Sequence, residues 1–474
     1  MNYIQFFLMR PEASLLAFFL VIFLYDLAST GRSRRYFHPF VCLAMFMHTI
    51  ICFADTREFT LFAGMYHSNA MIVFVKAMLA FGSALVIMQA HSWLRTNTTY
   101  YKQGEFYILL LSTLVGMYFM ISARHFLLLF VGIELASLPM ACMVAFDKYR
   151  HHSAEAGIKY VLTSMFASAI MLYGISYLYG TTGSLYFDGI RDGLTGSPMQ
   201  IYALVLFFAG MGFKISLVPF HMWTPDSYEG APTSVTAYLS VISKGAAVFT
   251  LFTVLITVFA PMVKQWQMII YITTVASITL ANIFAIKQRN LKRFMAYSSI
   301  SQAGYIMLAS IGGTAQSMSA MVYYVLVYIV ANLAVFGVIG IVEHHIRSEV
   351  RRETLNGFYT TNPRLSFVMT LALFSLAGIP PFAGFFSKFF VFTSAFGAGF
   401  KIAVFIALVN TVISLYYYLL VVKAMYIEKN DNPVSAVDSS IIARASLVIC
   451  VIGILALGVC SFVYSGISAI SFGM

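Results

Sequence analysis

The chain has 474 residues, of which 60% are hydrophobic and only 10% are charged. Soluble proteins average about 45–50% apolar and about 25% charged residues, so this composition excludes a soluble globular protein. The formal net charge of +11 is spread over short connections between apolar runs, a distribution that argues against nucleic-acid binding. The apolar runs are long and do not alternate, which favours membrane-spanning helices over a β-barrel.

Fourteen apolar runs are long enough to span a bilayer, which takes about 20 residues. In chain order the predicted spans are 13–29, 37–54, 70–92, 105–122, 125–146, 157–179, 201–221, 235–258, 267–286, 294–312, 318–342, 365–398, 402–425 and 445–468. Spans 4–8 and 9–13 form two sets of five, and an odd number inverts the second set in the membrane.

We therefore predict an all-α polytopic membrane protein with about 14 transmembrane helices and two inverted five-helix repeats, in which helices 7 and 12 are discontinuous. The predicted divisions are an N-terminal three-helix segment (1–103), a first repeat (104–260), a second, inverted repeat (265–427) and a C-terminal helix (428–474).

The basic residues between the spans predict the orientation of the chain. An even number of spans places both termini on one side. If that side is the outer one, 19 Lys and Arg residues face inward and 6 face outward. Because basic residues accumulate on the cytoplasmic side, we predict that both termini lie outside and that the loops with Arg32, Arg35, Arg289 and Arg351 lie inside.

Five charged side chains lie well inside the predicted spans, away from their ends: Lys76, Glu134, Lys214, Lys244 and Lys388. An ionised side chain at the bilayer centre costs about 2.5–3.5 kcal/mol even on a mild insertion scale, so each one implies pairing, hydration or a use. For Glu134 and Lys214, a buried pair that only fixes helix packing is the alternative to a functional pair. Lys76 has no evident acidic partner in the sequence, so structural and subunit-interface roles are both open.

Two of these lysines lie beside breaks in their spans. Pro219 follows Lys214, and Pro380 and Pro381 precede Lys388. Discontinuous helices at corresponding positions of two halves indicate a transport site, although a simple proline kink is the alternative. His221, just after the first break, is a candidate for proton entry or for a capping role.

No motif in the chain indicates a redox or nucleotide cofactor. The five cysteines form no Cys-x-x-Cys pair, and neither glycine-rich phosphate-binding motif is present. Any redox cofactors are therefore expected in other chains.

The stretch Phe220–Thr233, which reads FHMWTPDSYEGAPT, and Lys244 after it closely resemble the subunit N family of bacterial complex I, the NADH:quinone oxidoreductase. This family belongs to the antiporter-like subunits and is the counterpart of mitochondrial NADH dehydrogenase subunit 2. Further matches lie at Gly132–Leu135, Leu291–Ile300 and Leu376–Lys388, and the resemblance covers about residues 105–425. Ser234 departs from the pattern, since the family commonly has a second proline there.

The resemblance implies a proton-translocating membrane-arm subunit in the bacterial plasma (inner) membrane, where the outer side predicted for both termini is the periplasmic side. It implies that Glu134, Lys214, Lys244 and Lys388 form the proton relay, whereas a glutamate in place of Lys388 would suggest the sister subunit M. FMN, iron-sulfur clusters, NADH and quinone are then expected in partner subunits, with no cofactor in this chain. The implied partners are other membrane-arm subunits, including neighbouring antiporter-like subunits, and the lipid bilayer.

Two other functions remain open on the sequence. A subunit of a cation/proton antiporter, or of a related membrane-bound hydrogenase-type complex, would share the helix pattern and the lysines. A non-pumping scaffold in the same complex would tolerate the loss of all four lysines.

Overall fold

The computed structural model describes residues 6, 8–29, 33–54, 56–148 and 150–473. Within these ranges the chain forms helices joined by short connections, with one small hairpin. The helices are α1 (Arg10–Ala28), α2 (Phe37–Cys52), α3 (Ala70–Leu94), α4 (Gln103–Ser122), α5 (Phe126–Val144), α6 (His151–Thr182), α7 (Phe187–Gly193), α8 (Pro198–Ile215), α9 (Trp223–Gly230), α10 (Thr233–Thr257), α11 (Val263–Ile286), α12 (Leu291–Ser310), α13 (Ala315–Ile346), α14 (Phe358–Thr361), α15 (Pro363–Ala377), α16 (Ala383–Gly397), α17 (Lys401–Tyr426), α18 (Ile441–Val459) and α19 (Ser461–Ile470). The strands are β1 (Phe59–Leu61) and β2 (Tyr66–Ser68).

Eleven helices in the described ranges are long and apolar enough to cross a membrane. The three other predicted spans coincide with α2, which has only 16 residues, with α12, which is rich in serine, and with the broken pair α15 and α16. The prediction of an all-α polytopic membrane protein is confirmed, whereas the count of fourteen and the inverted repeats stay predictions. Arg32, counted among the inward-facing residues, lies outside the described residues.

The centre of the bundle is formed by α10, α13 and α3. The most apolar stretch of α10 is buried throughout, and those of α3 and α13 are buried almost completely. By contrast, less than half of the most apolar stretch is buried in α1, α6, α17 and α18, as expected of helices that face lipid. A charged side chain on α10 is therefore surrounded by protein on every side.

The seventh predicted span is discontinuous, because α8 ends at Ile215 and α9 begins at Trp223. Ser216 adopts a left-handed conformation with φ 68°, and the amide of Leu217 donates to the carbonyl of Gly212 at 2.9 Å. This is the hydrogen bond that closes a helix C-terminus in the Schellman motif. Pro219, which has no amide hydrogen, follows directly and prevents the helix from resuming.

The twelfth predicted span ends its first half in the same way. Gly378 has φ 87°, and the amide of Ile379 donates to the carbonyl of Phe374 at 3.1 Å. The chain resumes as α16 at Ala383, and Gly384 packs so closely that a Cβ there would lie 1.6 Å from the carbonyl oxygen of Ser375. Glycine at 384 is thus required for α15 and α16 to approach each other.

The hairpin between α2 and α3 was not predicted. Thr60 pairs with His67 in an antiparallel register, and the turn between the strands has φ 52° at Phe62 and 55° at Ala63. Three residues per strand are too few to give a periodic signal in the sequence. The hairpin also pairs with the end of α4 through a bridge between Tyr66 and Ala123, and so covers one end of the helices.

Candidate functional site

Lys244 lies in the buried helix α10, directly after a π-helical turn at Leu239–Ser243. Such turns are frequent at functional sites, because they shift the side chains that follow them. The side chain is 2% exposed, and its Nζ donates to Ser299 Oγ on α12 at 2.6 Å. Nζ also lies 5.4 Å from the centre of the Tyr228 ring, so the amine is held by a hydroxyl and an aromatic face.

Lys214 lies in the last turn of α8 and points toward α5. Its Nζ contacts Ser137 Oγ, whose hydroxyl in turn contacts the backbone carbonyl of Ile133. Glu134 is half-buried one turn before Ser137, and its Oε1 is buried with no hydrogen-bond partner among the described residues. No ion pair joins Glu134 to Lys214 in the described ranges, so a serine stands where a direct salt bridge would be.

Lys388 lies on α16, beside the break that separates it from α15. Its Nζ donates to the carbonyl of Ala377 at 2.9 Å, one of the carbonyls that the end of α15 leaves without a partner in the helix. Nζ lies 4.9 Å from the centre of the Tyr305 ring. A Cβ at Gly378 would lie 3.0 Å from Lys388 Cδ, so a larger residue there would displace the lysine stem.

Hydrogen bonds lead from the Lys244 side of the molecule across α12 to α17. Ser298, next to the serine that binds Lys244, is 2.6 Å from the hydroxyl of Tyr418. Gln302 Nε2, one turn further along α12, donates to the same hydroxyl at 3.1 Å.

The same amide reaches the break in α15–α16. Gln302 Nε2 donates to the carbonyl of Leu376 at 3.2 Å, and Leu376 directly precedes Ala377, which binds Lys388. Sequence reasoning identified none of these bridging residues. Uncharged serine, glutamine and tyrosine do not stand out in an apolar helix as lysines do.

His221 lies in the connection between α8 and α9 and is 9% exposed. Its Nδ1 is buried and has no hydrogen-bond partner in the part of the chain that the structure describes. His221, the candidate for proton entry, therefore places a ring nitrogen without a hydrogen-bond partner among the described residues at the break beside Lys214.

Short helix α9 is anchored by ion pairs at one end of the bundle. Arg293 Nη1 on α12 donates to Asp226 Oδ1 at 2.8 Å and to Glu229 Oε2 at 2.7 Å. Lys159 Nζ on α6 binds Asp226 Oδ2 at 2.8 Å. Burial alone would raise the pKa of Asp226, but the hydrogen bonds from Lys159 and Arg293 outweigh it and lower that pKa. These groups join α6, α9 and α12 on the side predicted to face inward.

Lys76, for which the sequence offered no acidic partner, has one in Glu12. The two side chains form a buried ion pair with Nζ 2.5 Å from Oε1. Glu12 escaped notice because it precedes the first predicted span. None of Lys214, Lys244 and Lys388 forms an ion pair with a carboxylate in the described ranges, and this difference separates them from Lys76.

A family model described as "NADH:quinone oxidoreductase/Mrp antiporter, TM" matches residues 123–414. The chain belongs to this family. Among its NADH:quinone oxidoreductase relatives, NADH-quinone oxidoreductase subunit N of Phocaeicola vulgatus is 59% identical over 462 residues, with 97% of both chains covered. The protein of the same name from Azobacteroides pseudotrichonymphae is 49% identical over 477 residues, covering 100% of this chain and 99% of the relative.

Solved structures of two membrane complexes contain chains with the same fold. A chain of respiratory complex I from Thermus thermophilus with bound aureothin matches with a TM-score of 0.82 and 30% identity, covering 97% of this chain and 99% of that one. A chain of the Mrp complex from Dietzia matches with a TM-score of 0.82 at 19% identity, covering 97% of each, which shows a common fold alone. The described residues contain no group of three or more His, Cys, Asp or Glu that could hold a metal ion.

Proposed function

We propose that Glu134, Lys214, Lys244 and Lys388 form a proton relay, through which this chain translocates protons as a membrane-arm subunit of an NADH:quinone oxidoreductase. Electron transfer takes place in other subunits, which hold FMN, the iron-sulfur clusters, NADH and quinone. Relatives at 59% and 49% identity over nearly their whole length support this function over that of a cation/proton antiporter. The Mrp neighbour supports only the fold.

One observation carries the relay: three buried lysines are held by neutral groups. Lys214 contacts Ser137, Lys244 binds Ser299, and Lys388 binds a backbone carbonyl. Burial without a counter-charge brings the free energies of the protonated and neutral forms of an amine closer together, and proton exchange requires this. A lysine locked to a carboxylate would keep its proton.

Glu134 loads the relay through Lys214. When the carboxylate moves toward Lys214, it stabilises the ammonium form and a proton is taken up from the His221 side. When it moves away, the ammonium loses its counter-charge and gives the proton to Lys244 through hydroxyl groups and trapped water. Ser137, three residues after Glu134 and in contact with Lys214, is placed to follow this movement.

From Lys244 the proton passes to Lys388 along the plane of the membrane. The hydroxyl groups of Ser299, Ser298 and Tyr418 lead toward the Lys388 site. Gln302 holds Tyr418 there, because its Nε2 donates both to the Tyr418 hydroxyl and to the carbonyl of Leu376. Hydroxyl groups both donate and accept hydrogen bonds, and this is what proton transfer along a chain of groups requires. Buried water completes the steps that are too long for direct transfer.

The relay fits a chain with two inverted repeats, 104–260 and 265–427, flanked by segments 1–103 and 428–474. The breaks beside Lys214 and Lys388 would occupy corresponding positions, and both end with the same backbone hydrogen bond, which supports the repeat. In the bacterial inner membrane, with both termini on the periplasmic side, the ion pairs around Asp226 and His221 face the cytoplasm. Protons then enter beside His221.

The coupling between Glu134 and Lys214 is tested in the assembled complex, reconstituted in vesicles. Glu134→Ala and Lys214→Ala should each lower proton pumping and quinone reduction together. The double variant should lose less activity than the sum of the two single losses, because each change removes the same interaction. Additive losses would show that the two residues do not act together. Glu428→Ala with Lys423→Ala removes an exposed ion pair with an N···O distance of 2.6 Å and should have no effect.

A purification from native membranes tests the assignment to a complex. Chains that bind NADH and iron-sulfur clusters should co-migrate with this one, together with other antiporter-like subunits. Co-migration only with antiporter subunits, and sodium-dependent transport by the isolated assembly, would support the antiporter function instead.

A further inference from the structure

A second set of buried ionisable groups lies outside the proposed relay, where α1, α3 and the hairpin meet. Glu12 is in the first turn of α1, Lys76 is in the second turn of α3, and Tyr66 is on β2. Their exposed fractions are 2%, 0% and 1%. A charge pair removed from water this completely is weak evidence for a stabilising role, because the cost of desolvation offsets the attraction.

The three side chains form a closed triangle. Lys76 Nζ lies 2.5 Å from Glu12 Oε1 and donates to the Tyr66 hydroxyl at 3.0 Å. That hydroxyl donates to Glu12 at 3.1 Å and 3.0 Å from its two carboxylate oxygens. A proton therefore has two routes between the amine and the carboxyl, one direct and one through the tyrosine.

Further titratable groups line the inner side of the triangle. The Tyr118 hydroxyl on α4 donates to the backbone carbonyl of Lys76 at 3.1 Å and lies 2.9 Å from His48 Nε2 on α2. Cys52 Sγ lies 3.6 Å from the same nitrogen, and Ser14 Oγ lies 3.0 Å from His48 Nδ1. Elements α1 to α4 and the hairpin thus all contribute polar groups to one place.

The hairpin provides the side that faces water. His67 follows Tyr66 on β2, and its Nε2 lies 3.7 Å from Glu58 Oε1, on a side chain that is 76% exposed. Burial, with smaller contributions from Arg124 and Lys76, lowers the pKa of His67 to about 4, while Glu58 and Asp188 act in the opposite direction. His67 is therefore neutral at physiological pH. Its Nε2 also lies 3.4 Å from Asn69 Nδ2, so the ring is a hydrogen-bonding group of the hairpin.

We propose that Glu12, Lys76 and Tyr66 form a second proton-exchange site, which takes up and releases protons at the face of the membrane where the hairpin lies. As the triangle stands, the amine carries a proton and the carboxylate is ionised, so the site is neutral. A proton that arrives from the hairpin side protonates Glu12 and leaves a net charge of +1. Its departure by the same path restores the ion pair.

This inference rests on the proposed proton translocation, because it concerns where protons of that process meet water. It involves none of the four relay residues, so the two can fail separately. Normal pumping by a complex that carries Lys244→Met would refute the relay. The protonation of Glu12 would still be measured separately by the spectroscopic test.

The direct test is infrared pH-difference spectroscopy on the whole complex. The wild-type complex should show a carboxylic-acid C=O band that appears as Glu12 is protonated, and Glu12→Gln should lack it. Tyr66→Phe keeps both charges but removes one hydrogen bond to the carboxyl, so it should shift the same band. If Glu12→Gln does not assemble, the shift of the carboxylic-acid band in Tyr66→Phe decides whether the band belongs to Glu12. A spectrum with no band that responds to either change would overturn the proposal.

Proton pumping distinguishes exchange from a purely structural pair. Glu12→Gln with Lys76→Met keeps the shapes and removes both charges, so a structural pair predicts normal pumping by the assembled complex. The exchange site predicts fewer protons pumped per electron, with a changed pH profile, for this double variant and to a smaller extent for Tyr66→Phe. A normal number of protons pumped per electron in both the double variant and Tyr66→Phe would overturn the proposal. Asp192→Asn, which removes a carboxylate that is 71% exposed, is the control. It should change neither the number of protons pumped per electron nor the pH profile.

Discussion

At the scale of single residues, the environment of Lys388 decides what the side chain can do. Its Nζ binds one backbone carbonyl and faces the Tyr305 ring, with no carboxylate partner in the described ranges. We expect Lys388→Met to assemble, because methionine fills the space of the stem, and to pump protons about ten-fold or more slowly, since a positioned proton-transfer group contributes about 10²–10⁴ in rate. Reconstituted vesicles provide the measurement.

Lys388→Glu is the companion variant. A buried carboxyl group also exchanges protons near neutrality, so this variant should keep part of the activity. A lysine that only filled a polar pocket would be replaced by methionine without loss of pumping, and that result would remove Lys388 from the relay.

The charged residues inside the predicted spans could be identified from the sequence, whereas the uncharged residues that bind them could not. Glu134 and the three lysines stand out because charge is rare in an apolar run. Ser299, which holds Lys244, looks like any other helix serine. Glu12 was missed because it lies just before the first span, and only the folded chain brings it to Lys76.

At the scale of elements, the break between α15 and α16 depends on glycine at 384. A Cβ there would lie 1.6 Å from the carbonyl oxygen of Ser375, a backbone atom that cannot rotate away. Gly384→Ala should therefore cost about 3 kcal/mol or more, the upper range for overpacking, and reduce the yield of assembled complex. Gly397→Ala, at the other end of the same helix, would meet nothing within 4 Å and should assemble normally. Equal yields would mean that the helices are not this close.

The second element that can be tested is α9, which Arg293 ties down through Asp226 and Glu229. Arg293→Ala should weaken this link by about 1 kcal/mol, as expected for partly exposed pairs. The folded-state pKa of Asp226 lies below its ordinary value of 3.8, so its contribution is complete above that pH and is lost as the pH falls through the lowered pKa. Hydrogen exchange of the α9 amides should thus differ between variant and wild type at pH 7 and converge in acid. Lys287→Ala, which changes an exposed residue in the connection between α11 and α12, should behave as wild type. A difference between Arg293→Ala and wild type that persists in acid would contradict the assignment.

At the scale of the whole molecule, apolar runs in the sequence predicted the eleven helices of the described ranges that are long and apolar enough to cross a membrane. They could do so because in lipid every backbone group must bond within its own helix. The hairpin at Phe59–Ser68 could not be predicted, since contacts to Ala123 in a distant part of the chain hold it in place. The position of each break was visible from proline, whereas its geometry depended on Ser216 and Gly378.

The orientation of the chain is a prediction that labelling can test. Single cysteines placed beside Arg35, Arg289 and Arg351 should react only with reagent on the cytoplasmic side. Cys142, which is exposed, must first be replaced by alanine so that it gives no background. Labelling beside Arg289 from outside intact cells would reverse the orientation or change the number of spans.

In the proposed relay, protons cross the middle of the molecule through buried lysines, and Lys244 is the one that joins the two halves. Lys244→Met should leave the complex assembled but abolish most proton pumping and slow quinone reduction, measured together in vesicles with NADH as the electron donor. Lys264→Met, which changes an exposed lysine at the start of α11, should match the wild type. A fully assembled Lys244→Met complex that pumps as many protons per electron as the wild type would contradict the relay.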